Sequence, residues 1–169
     1  MPDGHVTHAR CGGRDVLRYV GRVDYTMAPA IERFAERLLE GGRVRSLAFD
    51  LSGATLLDST NLGLIARIAE RTRALERARP VIVSSNEDVT SVLASMGFGE
   101  AFTIVPRDAT LAVADLEEPI TTGPPSRGEL RDTMLAAHRT LAALSDKDRA
   151  QLQAVVDMLE AEDPGETHH

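Results

Sequence analysis

The sequence has few of the residues on which several classes of protein depend. It contains one cysteine, Cys11, and no tryptophan, and its aromatic residues amount to only 4%. A single cysteine excludes an internal disulfide, which suits a reducing compartment, and so few aromatic rings leave no stacking surface for nucleic acid bases. The only lysine, Lys147, lies among acidic residues, which argues against lysine-dependent chemistry.

Basic charge and long apolar runs are scarce as well. Acidic residues outnumber basic ones 26 to 19, which gives a formal net charge of −7. Such a surface repels phosphate backbones and anionic lipid, so we expect no nucleic acid partner. No apolar run approaches the roughly 20 residues that span a bilayer, and the first residues lack a signal pattern. We therefore expect a cytoplasmic protein without direct membrane insertion.

The sequence also lacks the common motifs of catalysis and cofactor binding. It has no G-x-x-x-x-G-K-[ST], no G-x-G-x-x-G after a strand and no H-E-x-x-H. His5 and His8 are spaced like ligands, but the segment has no further ligands, so no metal site is predicted. His138 lies on an apolar stripe, which favours a packed or interfacial histidine over a general base. We predict no catalytic residue, no cofactor and no enzymatic activity.

Short apolar runs alternate with helical patterns over the first two thirds of the chain. Strands are predicted near residues 6–10, 16–23, 46–51, 80–83 and 102–105, the first two joined as a hairpin through Gly12-Gly13. The alternation implies parallel strands joined by helical crossovers. The predicted fold class is α/β, with a single mixed, mostly parallel sheet, helices packed on it and two further helices at the C-terminal end.

Four amphipathic helices are predicted between and after these strands. The first begins near Pro29 and ends at Gly41-Gly42. The others are defined by their apolar faces: Leu64, Ile65, Ile68, Thr72 and Leu75 after Asn61; Val89, Val92, Leu93 and Met96 before Gly97; and Leu111, Ala112 and Leu116 after Asp108.

A cluster of proline and glycine between Pro119 and Gly128 marks a linker. We therefore predict a domain at residues 1–118, a linker at 119–128, a helical extension at 129–162 and a disordered tail at 163–169. The extension contains two amphipathic helices, the second opening at Ser145 and Asp148, which resemble a capping box. Neither helix buries its stripe alone, so the two dock on the domain, pair with each other, form a homodimer or receive a partner.

The turn Asp58-Ser59-Thr60-Asn61 connects the third predicted strand to its helix. Short polar side chains at a helix start accept hydrogen bonds from the free N–H groups of the first turn. The same groups and the helix dipole also stabilise an anion, including a phosphate esterified to a hydroxyl. The turn is therefore either a helix cap or a phosphorylation switch.

The order of strand, D-S-T, apolar residue, glycine and amphipathic helix resembles the STAS domains of bacterial anti-sigma factor antagonists. The likeness extends back to Gly21-Arg22-Val23-Asp24, which is similar to the family's G-x-[LV]-D turn, and forward to about Leu116. It implies that a partner kinase phosphorylates Ser59, with Thr60 as a minor alternative acceptor. Asn61 replaces a glycine that is usual in the family, and asparagine tolerates turn conformations next best after glycine.

The resemblance also implies where partners bind. From the residues alone, Asp24 either orders its turn or caps the helix that begins near Pro29. In the family the matching aspartate lies beside the phosphorylation loop, which predicts a partner surface made of Asp24, Asp58, Ser59, Thr60 and Asn61. Both interpretations place Asp24 at an exposed end of the sheet, and the switch requires a Ser59 hydroxyl that other proteins can reach.

By the same resemblance, the unphosphorylated chain binds an anti-sigma factor and frees a sigma factor. A partner serine kinase ends this binding, and a metal-dependent serine phosphatase restores it. Two alternatives keep the fold without the switch: a STAS regulatory subunit of a membrane transporter ATPase, and a scaffold of a signalling assembly.

Overall fold

The computed structural model describes residues 4–74, 79–108, 111, 114, 116–121, 123–144 and 157–161. The strands are β1 (His5–Cys11), β2 (Arg14–Val23), β3 (Leu47–Leu57), β4 (Val81–Val83), β5 (Thr103–Val105) and β6 (Leu116–Pro119). The helices are α1 (Ala28–Glu40), α2 (Ser59–Arg73), α3 (Glu87–Ser95), α4 (Phe98–Ala101) and α5 (Arg127–Leu144). Residues 157–161 form a short helix, α6.

The strands form one sheet in the order β5-β4-β3-β2-β1-β6. β2, β3, β4 and β5 pair in parallel, whereas β1 is antiparallel to both β2 and β6. The predicted mixed, mostly parallel sheet is confirmed. The β1–β2 hairpin turns at Gly12 and Gly13, whose φ angles of 58° and 81° lie in a region that L side chains rarely adopt.

Successive residues of each strand point to opposite faces of the sheet and divide the core into two clusters. The larger cluster includes Leu17, Phe49 and Leu51 and extends to helices α1 and α2. The smaller one, on the opposite face, contains Val16 and Ala48. The predicted face of α2 is confirmed, because Leu64, Ile65, Ile68 and Thr72 are buried; its fifth member, Leu75, lies outside the described residues.

Two parts of the sheet differ from the prediction. β3 continues six residues beyond the expected end at Leu51, because its pairing with β2 continues to Val23 and Leu57 through two register shifts. Leu116, expected on a helix, pairs with Arg10 in the edge strand β6. Long-range pairing with β1 therefore overrides the local helical pattern at this position.

β6 ends at Pro119 and α5 begins at Arg127, so both elements enter the predicted linker at 119–128. The predicted second helix start at Ser145 and Asp148, and the tail at 163–169, lie outside the described residues. α5 packs against α2, and α6 returns to α5, where the Arg131 Nε donates a hydrogen bond of 2.9 Å to the Leu159 carbonyl. The described parts of the extension therefore dock on the domain and also contact each other.

The phenol of Tyr19 lies entirely inside the core, and its hydroxyl has no hydrogen-bond partner among the described residues. Burial raises the pKa of Tyr19 above its ordinary value of about 10 because the phenolate is poorly solvated there. Stability linked to this group is therefore present below about pH 10 and is lost as the pH rises, when the unfolded chain ionises first.

We expect Tyr19→Phe to leave the free energy of unfolding unchanged or to raise it by up to about 1 kcal/mol, because it removes an unsatisfied polar group. The variant should also lose less stability than the original protein above about pH 10. Urea denaturation at several pH values measures both effects. Tyr25→Phe is the control, since Tyr25 is 43% exposed. A clear loss of stability in Tyr19→Phe at neutral pH would contradict the expectation.

Candidate functional site

Two acidic residues lie next to each other at the carboxyl ends of the neighbouring strands β2 and β3, an end of the sheet that is called the polar edge below. Val23 and Leu57 are paired in the parallel β2–β3 register, so Asp24 and Asp58, the next residues, leave the sheet side by side. Asp24 is exposed, as predicted, and its Oδ1 accepts a hydrogen bond of 3.0 Å from the Thr26 N–H. Asp24 thus orders a short 3-10 turn, Tyr25–Met27, and does not cap α1.

Asp58 is the residue that caps α2. Its backbone is extended, with φ −84° and ψ 172°, and its Oδ1 accepts a hydrogen bond of 3.0 Å from the Asn61 N–H. The carboxylate also lies near the positive end of the helix dipole, which favours a negative charge. Asp58 therefore caps α2 without the Ser59 hydroxyl.

Asn61 connects the end of β2 to the N-terminal cap of α2. Its Nδ2 donates hydrogen bonds to the Val23 carbonyl, at 3.2 Å, and to Asp58 Oδ1, at 2.9 Å. Both partners are acceptors, which assigns the amide orientation. Among the described residues only glycines have positive φ, so the tolerance of asparagine for left-handed backbone is not used here. The departure from the family glycine instead supplies a hydrogen-bonded link between β2 and α2.

Ser59 is the first residue of α2 and is half-buried. Its Oγ lies 2.9 Å from His138 Nε2 on α5, and His138 Nδ1 lies 2.7 Å from the Met134 carbonyl. Because a carbonyl only accepts, Nδ1 carries the proton, and in the neutral ring Nε2 accepts a hydrogen bond from the Ser59 hydroxyl. The hydroxyl is therefore engaged by α5 and not freely exposed, which differs from the open position that the switch hypothesis requires.

The predicted partner surface is only partly on the surface. Asp24 is exposed and Asp58 and Ser59 are half-buried, but Thr60 and Asn61 are 2% and 0% exposed. The prediction that Thr60 and Asn61 form part of an exposed surface is therefore wrong, because both side chains are buried. The Asn61 side chain donates hydrogen bonds to Val23 and Asp58, and Thr60 is a buried residue in the first turn of α2.

An apolar groove that the sequence did not indicate lies at the same edge of the sheet. It is lined by the end of β3, the start of α2 and one side of α3, with a volume of about 100 Å³. Leu56 and Val92 line it and are 48% and 45% exposed. Val92 was expected to pack against the sheet, but α3 buries only Val89 and Leu93 of the predicted face. Exposed large apolar side chains beside a polar edge are typical of a protein-binding surface.

The structure also describes His5 and His8, the histidine pair for which no metal site was predicted. His8 Nε2 lies 2.7 Å from Asp15 Oδ1 in the buried part of β1 and β2, whereas His5 is exposed. Within the described ranges, no group of three or more histidine, cysteine, aspartate or glutamate residues is arranged to hold a metal ion. None of the helices in these ranges has the length and apolar character needed to cross a membrane.

Comparison with known proteins identifies the family. The family model for the STAS domain matches residues 9–111, which is more than half of the chain, and the chain therefore belongs to the STAS domain family. The search of curated proteins found no significant match to this chain.

Two solved structures resemble the chain at low sequence identity. A crystal structure of an anti-sigma factor antagonist from Mycobacterium paratuberculosis is 20% identical, with a TM-score of 0.56 over 65% of this chain and 92% of that one. The unphosphorylated anti-sigma factor antagonist SpoIIAA is 16% identical, with a TM-score of 0.49 over 59% of this chain and 86% of that one. The first of these similarities supports the STAS fold of the described domain.

The role of Asn61 leads to a stability prediction. Asn61→Gly should lower the free energy of unfolding by about 1 kcal/mol, because the buried Val23 carbonyl loses its side-chain donor. The loss is limited because the change also removes the buried Asn61 Oδ1, which has no hydrogen-bond partner among the described residues. The control is Asn86→Gly at the N-cap of α3, where glycine costs only a few tenths of a kcal/mol. Urea denaturation compares the two, and equal losses would show that the Asn61 link contributes nothing specific.

Proposed function

We propose that this protein is an anti-sigma factor antagonist whose binding is switched by phosphorylation of Ser59. The observation that supports this most directly is the position of Ser59 at the head of α2, where Asp58 already provides the cap. The helix does not need this hydroxyl as a cap, and the hydrogen bond of Ser59 Oγ joins it to His138 on α5, so it can be modified without loss of the cap. The similarity to the Mycobacterium antagonist agrees with this function.

Electrostatics make phosphorylation at this position an effective switch. A phosphate adds about −1.5 to −2 charges at neutral pH, next to Asp58 and on a chain whose formal net charge is already −7. The dipole of α2 offsets only about 0.3–2 kcal/mol of the resulting repulsion. A loss of about 3 kcal/mol in a complex weakens it roughly a hundredfold, which is enough to release a partner.

The proposed partner surface combines the polar edge with the apolar groove. Asp24, Asp58 and Ser59 supply hydrogen bonds and charge, and Leu56 and Val92 supply apolar area at the same edge. In its unphosphorylated form the protein would bind an anti-sigma factor through this surface and thereby free a sigma factor. A serine kinase and a metal-dependent serine phosphatase would set the phosphorylation state, so the chain is a substrate and a binding protein and performs no catalysis itself.

Phosphorylation can be tested by intact mass. The full chain is incubated with ATP and a lysate of the source organism, and we expect the mass to increase by one phosphate. Ser59→Ala should abolish the increase, whereas Thr60→Ala should retain it because Thr60 is buried. A phosphate that persists in Ser59→Ala would place the modification elsewhere and contradict the proposed switch.

Partner binding provides a separate test. Unmodified chain used as bait should capture an anti-sigma factor or serine kinase, identified by mass spectrometry. Ser59→Glu should weaken the captured complex by about a hundredfold in titration, because it adds a charge beside Asp58. Thr103→Glu adds the same charge at an exposed position on β5, at the opposite end of the parallel strands, and shows how much of the loss depends on position. Capture of a transporter ATPase that is insensitive to Ser59→Glu would favour the alternative function.

A further inference from the structure

Helix α5 extends across the domain from α1 to the end of α3. Glu129, in its first turn, pairs with Arg33 of α1, and the carbonyl of its last residue, Leu144, faces Gly97. Leu141 and Ala142 are buried in the same cluster as the core of the sheet. α5 is therefore part of the packed structure, although it lies outside the residues that the STAS family model matches.

The backbone of α5 lies close to α2 at Gly63. A Cβ atom placed on Gly63 would lie 2.2 Å from the Ala137 carbonyl oxygen and 2.8 Å from its Cα. Real Cβ contacts are essentially never shorter than 3.0 Å, so the two helices meet in this position only because residue 63 has no side chain. One turn earlier on α2, Ser59 donates its hydroxyl proton to His138, the residue that follows Ala137.

We propose that α5 is an intramolecular cap on Ser59, with His138 as its positioning residue, and that docking of α5 and phosphorylation of Ser59 exclude each other. In the docked state the hydroxyl proton is held by a buried imidazole, under a helix, and is not available to a kinase. Because this inference rests on the proposed role of Ser59, its test must not depend on any kinase acting on the chain.

The contact between Ser59 and His138 explains why docking of α5 and phosphorylation of Ser59 exclude each other. The Nδ1 proton of His138 is already donated to the Met134 carbonyl, so Nε2 faces Ser59 as an acceptor. Phosphorylation removes the only proton that Ser59 can donate and replaces it with a group whose oxygens are acceptors. The 2.9 Å between Ser59 Oγ and His138 Nε2 also leaves no room for a phosphate group, so α5 must move away to accommodate it. Once α5 has moved, water solvates the anionic group next to the Asp58 carboxylate, which it cannot do in the docked interface.

Thermodynamic linkage makes the effect reciprocal. If a phosphate on Ser59 weakens the docking of α5 by a given factor, then docking of α5 disfavours the phosphorylated state by the same factor. α5 adds no strand to the sheet and contacts the domain mainly through α2 and α1, so its release uncovers part of α2 while the pairing of β2 with β3 remains in place.

The test compares the unmodified full chain with a full chain that carries genetically encoded phosphoserine at position 59. Hydrogen exchange followed by mass spectrometry reports on each helix separately. We expect amide protection in residues 134–144 to fall about tenfold or more in the phosphoserine protein, while β2 and β3 keep theirs. Unchanged or increased protection of α5 would overturn the proposal, because the phosphate would then be held under the docked helix.

Gly63→Ala provides a second test without any phosphate. Alanine favours α2 by about 1 kcal/mol over glycine, so the added methyl group acts only against α5. Protection of α5 should again fall about tenfold, with β2 and β3 unchanged. Gly128→Ala is the matched control, since nothing lies within 4 Å of a Cβ built there. An α5 that stays protected in Gly63→Ala would contradict the tight docking on which the cap depends.

Two replacements in the full chain distinguish the hydrogen bond of His138 from its packing. His138→Ala removes the acceptor and should lower the protection of α5, while His138→Gln places an amide oxygen within reach of the Ser59 hydroxyl and should restore most of it. In a Ser59→Ala background the difference between these two variants should disappear. A difference that persists in that background would assign His138 a purely packing role.

The phosphoserine experiment is independent of the proposed function. Phosphoserine is installed during translation, so its effect on α5 is measured whether or not a cellular kinase modifies Ser59. If encoded phosphoserine releases α5 but lysate leaves Ser59 unmodified even in Gly63→Ala, whose α5 is undocked, the cap is correct and the proposed switch is not. The opposite pair of results would support the switch and reject the cap.

Discussion

The burial of α2 on two sides is the constraint on which the rest of this structure depends. One side of the helix packs on the sheet through Leu64, Ile65 and Ile68, and the other meets α5 at Gly63. A helix that is apolar over most of its circumference must be covered over most of it, and the STAS domain alone does not supply both covers. The C-terminal helix therefore completes the core, and in doing so it reaches Ser59 at the start of α2.

The first turn of α2 divides structural and chemical roles between neighbouring side chains. Asp58 accepts the N–H of Asn61, and Asn61 in turn links α2 to the end of β2. These bonds hold the loop without any contribution from the Ser59 hydroxyl, which points to α5. A residue that carries no structural hydrogen bond within its own loop can change its charge while the loop keeps its conformation, which is what a local switch requires.

The charged residues of the helices contribute less than the buried contacts. Arg67 pairs with Glu32 at 3.2 Å and Arg71 with Glu36 at 2.9 Å, and both pairs join α2 to α1. These side chains are partly exposed, and such pairs contribute only about 0–1 kcal/mol each. The positions of the helices are therefore set by apolar packing and by the close approach at Gly63, and the ion pairs refine their orientation. The surplus of acidic charge matters mainly for the choice of partners.

Much of the fold could be predicted because its signals are local. Alternating strands and helices, the Gly12-Gly13 hairpin and the apolar face of α2 all follow from residue type and spacing within a few positions. The same holds for the Asp58 to Asn61 turn, whose residues identify both a helix start and a family resemblance. The extension of β3 to Leu57 and the placement of Leu116 in β6 were missed, because pairing with distant strands decided both against the local pattern.

The sequence by itself determined the fold class, the position of the serine-bearing turn and the presence of amphipathic helices after the domain. Only the tertiary structure decided that Asn61 and Thr60 are buried, that Leu56 and Val92 line a groove, and that His138 holds the Ser59 hydroxyl. The physical reason is distance along the chain: Ser59 and His138 are 79 residues apart. No periodicity or motif encodes such a pair, because it forms only when a helix finds its place against α2 through contacts spread over its whole length.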